Sequence, residues 1–419
     1  MFEIRHENEP RGNAVRHLVN TLVGIGQNTY TPTQVAVAKA RGCSLWTVDG
    51  RKLIDFTSGV LVQNLGYNHP KFEKYWMLYR KGLPVNAYNM VSEVFAKASK
   101  QVIRSMRSNP NAQKMLWAAS GSEGIQKAMW TALHRYPERA IMVATRHGFH
   151  GKKGLAADVT GETSTNPNVR FISFPMNTNH PPEFYQEELD ALQKDYPGKI
   201  ALLITEPYLG SKGSYHPPAW YHQMLQCWCN KNDIPFIFDE VQSCFGRTAN
   251  MYAYETYQVT PDLVVLGKGF ANGEPAAAVV GRADLIDALN YSEASDTYSA
   301  SIPACAAVCA TLDVFKEDAV VKTARKNAKK LNYNLRTLAG KFSFIKEIRG
   351  EGMVYGIEIK DAETANRCVL EAYRASEKKG VHFLGPLAEK VLRVSPPLII
   401  TEEEINVAFA LLEKAWARI

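Results

Sequence analysis

"FDEVQSCFGRT", residues 238–248, and "DLVVLGKGFANGEP", residues 262–275, decide how this chain is built. In the second stretch a run of strand-forming residues, Leu263 to Leu266, ends in a lysine held between Gly267 and Gly269. A buried strand does not accept an ammonium without cause, and a surface lysine needs no glycine neighbours. The first stretch has the same character. After buried-type residues it ends in two adjacent carboxylates, Asp239 and Glu240, which are costly there unless a cation or strong donor meets at least one of them.

Working outward, five more apolar runs appear: "KMLWAAS" from Lys114, "AIMVATR" from Ala140, "VRFISFP" from Val169, "ALLITEP" from Ala201 and "AAAVVG" from Ala276. Several are apolar on both faces, as strands covered by helices on both sides are. Amphipathic stretches lie between them, such as "SEGIQKAMWTALHRY" with Ile125, Met129, Leu133 and Tyr136 at helical spacing. The alternation predicts an α/β domain with a mostly parallel, seven-stranded sheet over residues 57–304.

The flanks differ. "SLWTVDGRKLIDF" alternates around Asp49-Gly50, a signal for a two-residue hairpin turn. The last hundred residues read as a long helix, strands in "IKEIRGEGMVYGIEI" and "VLRVSPPLII", and a closing helix capped by Thr401 and Glu404. Residues 1–56 and 305–419 are therefore expected to form one smaller, discontinuous α+β domain.

Composition excludes several roles. Apolar residues make 46% and charged residues 22% of 419, as in an ordinary globular protein. Lys plus Arg exceed Asp plus Glu by 49 to 42, a mild excess without the dense basic tract of a nucleic-acid module. No stretch reaches membrane-spanning length, and "MFEIRHENEPRGNAVRH" has no apolar core of a secretory signal. The seven cysteines, including Cys227 and Cys229 of "CWC", lack metal-ligand spacing. The expectation is a cytoplasmic protein with reduced thiols, binding no metal, nucleic acid or membrane.

Ligands of open α/β sheets sit at the carboxyl ends of the strands. There "WAASGSEG" places Gly121 and Ser122 at a strand-to-helix turn, where N–H groups, the helix dipole and a hydroxyl suit a phosphate. Taken singly, this turn reads more simply as a helix N-cap, and Lys268 as half of a structural ion pair. Taken together, a phosphate cradle, a carboxylate (Asp239) and a lysine flanked by glycines that admit a planar group specify pyridoxal phosphate, which needs an amine for its aldehyde and an acid for its ring nitrogen.

These residues also carry a resemblance. "VDGRKLIDFTSG", "NLGYNHP", "SGSE", "FHGKKG", "TEP", "FDEVQSCFGRT", "PDLVVLGKG", "DTYSASIPAC", "RGEGMVYGIE" and "LRVSPPL" occur in order across nearly the whole chain. In this the sequence resembles the class III (omega-amino-acid type) aminotransferases, fold type I enzymes of pyridoxal phosphate. The resemblance implies that Lys268 forms the Schiff base and Asp239 keeps the ring nitrogen protonated, the two catalytic residues. It implies that Gly121 and Ser122 bind the phosphate, that Phe149 and Val241 pack on the two ring faces, and that Gln242 approaches the ring hydroxyl. Glu206 of "TEP" joins the cofactor set. Thr297 would reach the phosphate of a neighbouring subunit, making a homodimer the working unit. On the substrate side the resemblance implies Arg393 for a carboxylate, with Val60, Leu61 and Lys152 lining the pocket. The reaction would be ping-pong transfer of an amino group from an amino acid or omega-amine donor to a 2-oxo acid.

Four positions depart from the family pattern. Ser211 stands where many members have the glutamate that occupies the carboxylate-binding arginine. Lys152 replaces a usual arginine, Ser299-Ala300-Ser301 replaces Gly-Gly-Asn, and Cys244 replaces a glycine, as a reactive or a packed thiol. The motifs do not separate a transaminase from the racemases and epimerases of the same family. A silent relative has no need of Lys268.

Overall fold

The computed structural model describes residues 4–27, 31–176 and 180–419. Contacts divide the chain into two compact units: Met1–His69 with Lys212–Ser214 and Lys322–Ile419, and Pro70–Ser211 with Tyr215–Val321. The boundaries fall later than residues 57 and 304, for a local reason. Within the smaller unit, Ser395 N–H donates to Phe56 (2.8 Å) and Leu398 N–H to Asn64 (2.9 Å), so the segment after residue 57 stays there. Within the larger unit, helix α1 (Pro70–Arg80) is tied to a helix at Ile302–Glu317 by Trp76 Nε1 to Pro303 O (3.0 Å) and Tyr75 OH to Glu317 (2.8 Å).

The larger unit holds the seven-stranded sheet. Its strands are β1 (Lys114–Ala118), β2 (Ile141–Thr145), β3 (Val169–Ile172), β4 (Ile200–Thr205), β5 (Phe236–Asp239), β6 (Leu263–Leu266) and β7 (Ala277–Gly281). They lie in the order β1-β7-β6-β5-β4-β2-β3, with β7 antiparallel to both neighbours and the other pairs parallel. β2, β4, β5, β6 and β7 are buried at every position. On one face, helix α2 (Gly121–Arg135) lays Ile125, Ala128, Met129 and Ala132 against Ile204, Ile237 and Val265. On the other, the helix Ala219–Lys231 brings His222 edge-on to Phe238 at 5.0 Å. Each such aliphatic residue contributes roughly 1.5–3 kcal/mol on burial, which is why the strands are apolar throughout.

The smaller unit has two four-stranded sheets and the closing helix Glu402–Trp416, capped reciprocally by Thr401 and Glu404. The hairpin between Ser44–Thr47 and Lys52–Asp55 differs from the expected two-residue turn. Thr47 N–H bonds Arg51 O (2.9 Å), so Val48, Asp49 and Gly50 form a three-residue loop. Only Gly50 takes positive φ (89°), while the Asp49 carboxylate accepts the N–H groups of Arg11 (3.1 Å) and Gly12 (2.7 Å). Among the described residues no helix is long and apolar enough to cross a membrane. All seven cysteines are free thiols, and only Cys227 is exposed.

Candidate active site

Four strands of the large sheet, β1, β2, β5 and β6, end at one cavity of about 400 Å³, and each end presents a different group. β1 runs into the turn before α2. Ser120 caps that helix, its Oγ accepting Glu123 N–H at 3.3 Å, and the Glu123 carboxylate accepts Ala119 N–H at 3.0 Å. Capping is thus the work of Ser120. That leaves Ser122, two residues on, with a buried Oγ that finds no partner among the described residues.

After β2 the chain passes through Phe149 and His150. Their backbone is pinned: Glu206, just past β4, accepts Phe149 N–H (2.9 Å), and Thr160 Oγ1 accepts His150 N–H (2.9 Å). Glu206 is fully withdrawn from solvent, and that burial pushes its carboxyl up to about 7 against the pull of His150 and Lys268. Its observed contact is therefore with the segment that carries Phe149, a half-buried ring in the cavity wall.

The two carboxylates after β5 have separate tasks. Asp239 faces the cavity, with Oδ2 2.7 Å from His150 Nδ1 and Oδ1 accepting Val241 N–H at 3.0 Å. Glu240 turns away and accepts the N–H groups of Ala253 (2.7 Å) and Tyr254 (2.8 Å) at the start of another helix. Burial pushes Glu240 up to about 8. Gln242 lines the cavity, and its buried Oε1 has no partner among the described residues.

Lys268 follows β6 and opens a 3₁₀ turn, Lys268–Ala271. Its φ is +45°, a left-handed conformation that costs a non-glycine residue about 1–2 kcal/mol. The expectation that Gly267 leaves room for a planar ligand needs correction. A Cβ on Gly267 would meet Val241 Cγ1 at 3.0 Å, and one on Gly121 would meet the same atom at 2.8 Å. The two glycines make room for Val241, and Val241 lines the cavity. Cys244 packs its Sγ 3.5 Å from Gly267 O, and burial pushes its thiol up to about 12, so it is a packed and inert thiol.

Of the other expected residues, only Lys152 is part of this cavity's lining. Lys152 is exposed at its edge, whereas Thr297 is exposed in the loop after residue 290, its carbonyl accepting from Asn86 Nδ2 at 2.7 Å. Val60, Leu61 and Arg393 belong to the smaller unit. Arg393 is buried (3% exposed) on a strand opposite Gly356. Leu61 is buried as well, because the turn Ser58–Leu61 is left-handed and directs it inward; of this pair only Val60 is exposed.

A family model described as Aminotransferase class-III matches residues 25–416. The chain belongs to the class III aminotransferases. It is 28% identical over 410 residues to an acetylornithine aminotransferase of Caldanaerobacter subterraneus subsp. tengcongensis, covering 94% of this chain and 97% of that one. A probable 4-aminobutyrate aminotransferase of Bacillus subtilis is 27% identical, with 90% and 91% covered. In fold, an S-selective transaminase from Bacillus megaterium superposes with a TM-score of 0.86 at 23% identity, covering 97% of each chain.

Class III aminotransferases are fold type I enzymes that work with pyridoxal phosphate, and the cavity of this aminotransferase fits that group. Leaving a buried polar atom unpaired costs about 1–3 kcal/mol. Among the described residues Ser122 Oγ, Gln242 Oε1 and His150 Nε2 are such atoms, and all three residues line one cavity beside a lysine and a buried carboxylate. Sequence reasoning missed His150, although it stands beside Phe149 in "FHG"; a histidine next to a half-buried ring was the available signal.

Proposed function

We propose that Lys268, Asp239, Gly121, Ser122, Phe149, Val241 and Gln242 hold pyridoxal phosphate in this cavity. The enzyme then moves the amino group of a carboxylate-bearing donor to a 2-oxo acid in two half-reactions. The convergence of a lysine, a buried Asp239–His150 pair and the unpartnered Ser122 and Gln242 carries this reading. Bound there, the cofactor supplies an aldehyde that takes up and returns an amino group, and a ring that spreads the charge left when a donor carbon loses its proton.

The chain's own residues do the rest. Lys268 binds the aldehyde at rest. Freed by the donor, its Nζ would take the proton from the donor's Cα and deliver it to the cofactor carbon that keeps the amino group. Asp239, oriented at both oxygens by His150 and Val241, holds a proton on the ring nitrogen. Ser122 Oγ and the first-turn N–H groups of α2 bind the phosphate. Glu206 and Thr160 fix the backbone that sets the Phe149 ring, and Val241 bounds the opposite face.

On the substrate side, Arg393 takes a carboxylate, the role that the family pattern gives to that position. Ser211 stands where many members have a glutamate, which favours carboxylate substrates. Val60 and Lys152 are the further side chains that the family pattern gives to substrate binding. Thr297 serves the phosphate of a second copy. Exposed Met77, Leu78, Leu83 and Val85 around a groove of about 560 Å³ support an interface with that copy, since monomers seldom expose contiguous apolar patches of this kind. Seven unpaired thiols support a cytoplasmic setting.

The test is a panel of amino donors added without any oxo-acid. Conversion of the bound cofactor to pyridoxamine phosphate is the expected result, and borohydride should fix the cofactor to Lys268. Deuterium entering the donor's Cα while the cofactor stays in its aldehyde form would reject amino transfer.

A further inference from the structure

Lys127 is a second lysine that the reaction does not use, and it is more buried than Lys268. Its side chain is 4% exposed although it lies on α2, where sequence alone marks an ordinary surface position. Its Nζ donates to Trp117 O (2.7 Å), Asp296 Oδ2 (2.7 Å) and Ser299 Oγ (3.3 Å), and stands 3.3 Å from Glu123 Oε1. Asp296 in turn accepts the N–H groups of Tyr298 (3.1 Å) and Ser299 (2.7 Å), and the Ser299 hydroxyl donates to its other oxygen. The network thus closes the loop 296–299 onto the helix whose first turn carries Gly121 and Ser122.

The loop's own sequence explains the need. Where the family pattern has glycines, this chain has Ser299-Ala300, and Ala300 sits at φ +58°, a left-handed conformation that glycine adopts freely and alanine resists. Something must hold the alanine there. The ammonium, carboxylate and hydroxyl do so, while Asn86 grips Thr297 O from the other side. Thr297 is left exposed between two fixed anchors.

We propose that Lys127, Asp296 and Ser299 are positioning residues for the cofactor: they hold Thr297 in place for the phosphate bound by a second copy of this chain. The inference rests on the reading of Thr297 given above. A loop already ordered loses less freedom on binding, so the network acts on cofactor retention.

The experiment compares cofactor release from the holoenzyme in Lys127→Met, Ser299→Gly, Ser299→Thr and Thr297→Val, alone and with Thr297→Val combined with Ser299→Gly. Release is followed by the loss of bound-cofactor absorbance after dilution. Lys127→Met and Ser299→Gly should release it about tenfold faster, as the loss of a charge-assisted network implies, with turnover restored by excess cofactor. Ser299→Thr keeps the hydroxyl and should behave as the parent. In the Thr297→Val background, Ser299→Gly should add nothing, which a merely structural role would not produce. Ser299→Gly removes one hydroxyl from a half-buried loop position, so it keeps the test sound if Lys127→Met fails to fold. Unchanged release in Thr297→Val sinks the underlying reading. Faster release in Thr297→Val with unchanged release in Ser299→Gly overturns the network inference alone.

Discussion

His150 Nδ1 lies 2.7 Å from Asp239 Oδ2, and the two side chains are 0% and 4% exposed. The contact joins residues 89 apart in sequence, at the ends of two strands of one sheet. It fixes which face of the carboxylate is spent on protein and which is turned to the cavity. On the proposed reading Asp239→Asn removes the charge that would hold a ring proton, and it should lower kcat by about 10²–10³, the cost of one preorganised electrostatic partner. His150→Ala leaves the charge and removes one charge-assisted hydrogen bond of about 1.5–3 kcal/mol, hence a loss of about 10- to 100-fold. Single-turnover rates with a saturating donor measure both. A His150 variant as impaired as Asp239→Asn would show that the histidine has a role beyond orientation.

Gly121 and Gly267 both stand against Val241 Cγ1. Gly121→Ala should weaken cofactor binding through overpacking of about 1–3 kcal/mol, roughly one to two decades in affinity. Adding Val241→Ala removes the opposing methyls and should restore most of that loss. Cofactor titration of the two single variants and the double variant decides it, and an unrescued double variant would place the clash elsewhere.

Much of this was legible in the sequence, and physics says which parts. The seven strands were, because strands buried on both faces must be apolar at every position, and that leaves unbroken runs such as Leu263–Leu266. Lys268 and Asp239 were legible because each ends such a run. Contacts between distant segments were not. Nothing near His150 announces Asp239, and Lys127, four residues after Glu123, looks like one half of a surface helical pair until Asp296 is brought to it. The inward turn of Leu61 was hidden too, since only Gly59 in "TSGVL" signals left-handed backbone.

Buried Glu206 and Glu240 set a pH dependence. Burial above all pushes them from 4.5 up to about 7 and about 8. With a raised folded value, each holds a proton in the folded chain after the unfolded chain has lost it. Their contribution is full below about pH 4.5 and is lost as pH rises through 7 and 8. Stability should therefore fall between about pH 5 and 9, with a slope of up to about 1.4 kcal/mol per pH unit for each group. Glu206→Gln and Glu240→Gln should each flatten part of the decline in unfolding midpoint. A midpoint that rises across this window would reverse the assignment.

Thiol chemistry should single out Cys227. The other six cysteines are buried, and Cys244, Cys305, Cys309 and Cys368 are each pushed up to about 12 by burial. A thiolate is the reactive form, so native protein should take up one equivalent of a thiol reagent per chain and unfolded protein seven. Modification of Cys244 in the native enzyme would contradict its packing.

The turn at Ser58–Leu61 stores strain that a single substitution should release. Ser58, Gly59, Val60 and Leu61 have φ of 51°, 56°, 65° and 64°, four left-handed residues in succession. Such a conformation costs a side-chain-bearing residue about 1–2 kcal/mol, and a β-branched one suffers most. It persists because Ser58 Oγ donates to Ser395 O (2.5 Å), Thr57 Oγ1 accepts Gly59 N–H (3.1 Å), and Ser58 O accepts from Val62 (2.9 Å) and Gln63 (2.8 Å). None of these contacts uses the Val60 side chain, which is 39% exposed. Val60→Gly should therefore raise the urea midpoint, the relieved strain exceeding the roughly 0.4–1 kcal/mol that glycine adds to the freedom of the unfolded chain. Val62→Gly, at φ −91° in the right-handed region, carries the same entropic cost with no strain to relieve, and should lower it. If both variants lose stability equally, the left-handed turn is not under strain at Val60. If they part as expected, Val60 is kept there for a reason other than stability, and altered donor preference in Val60→Gly is where that reason would show.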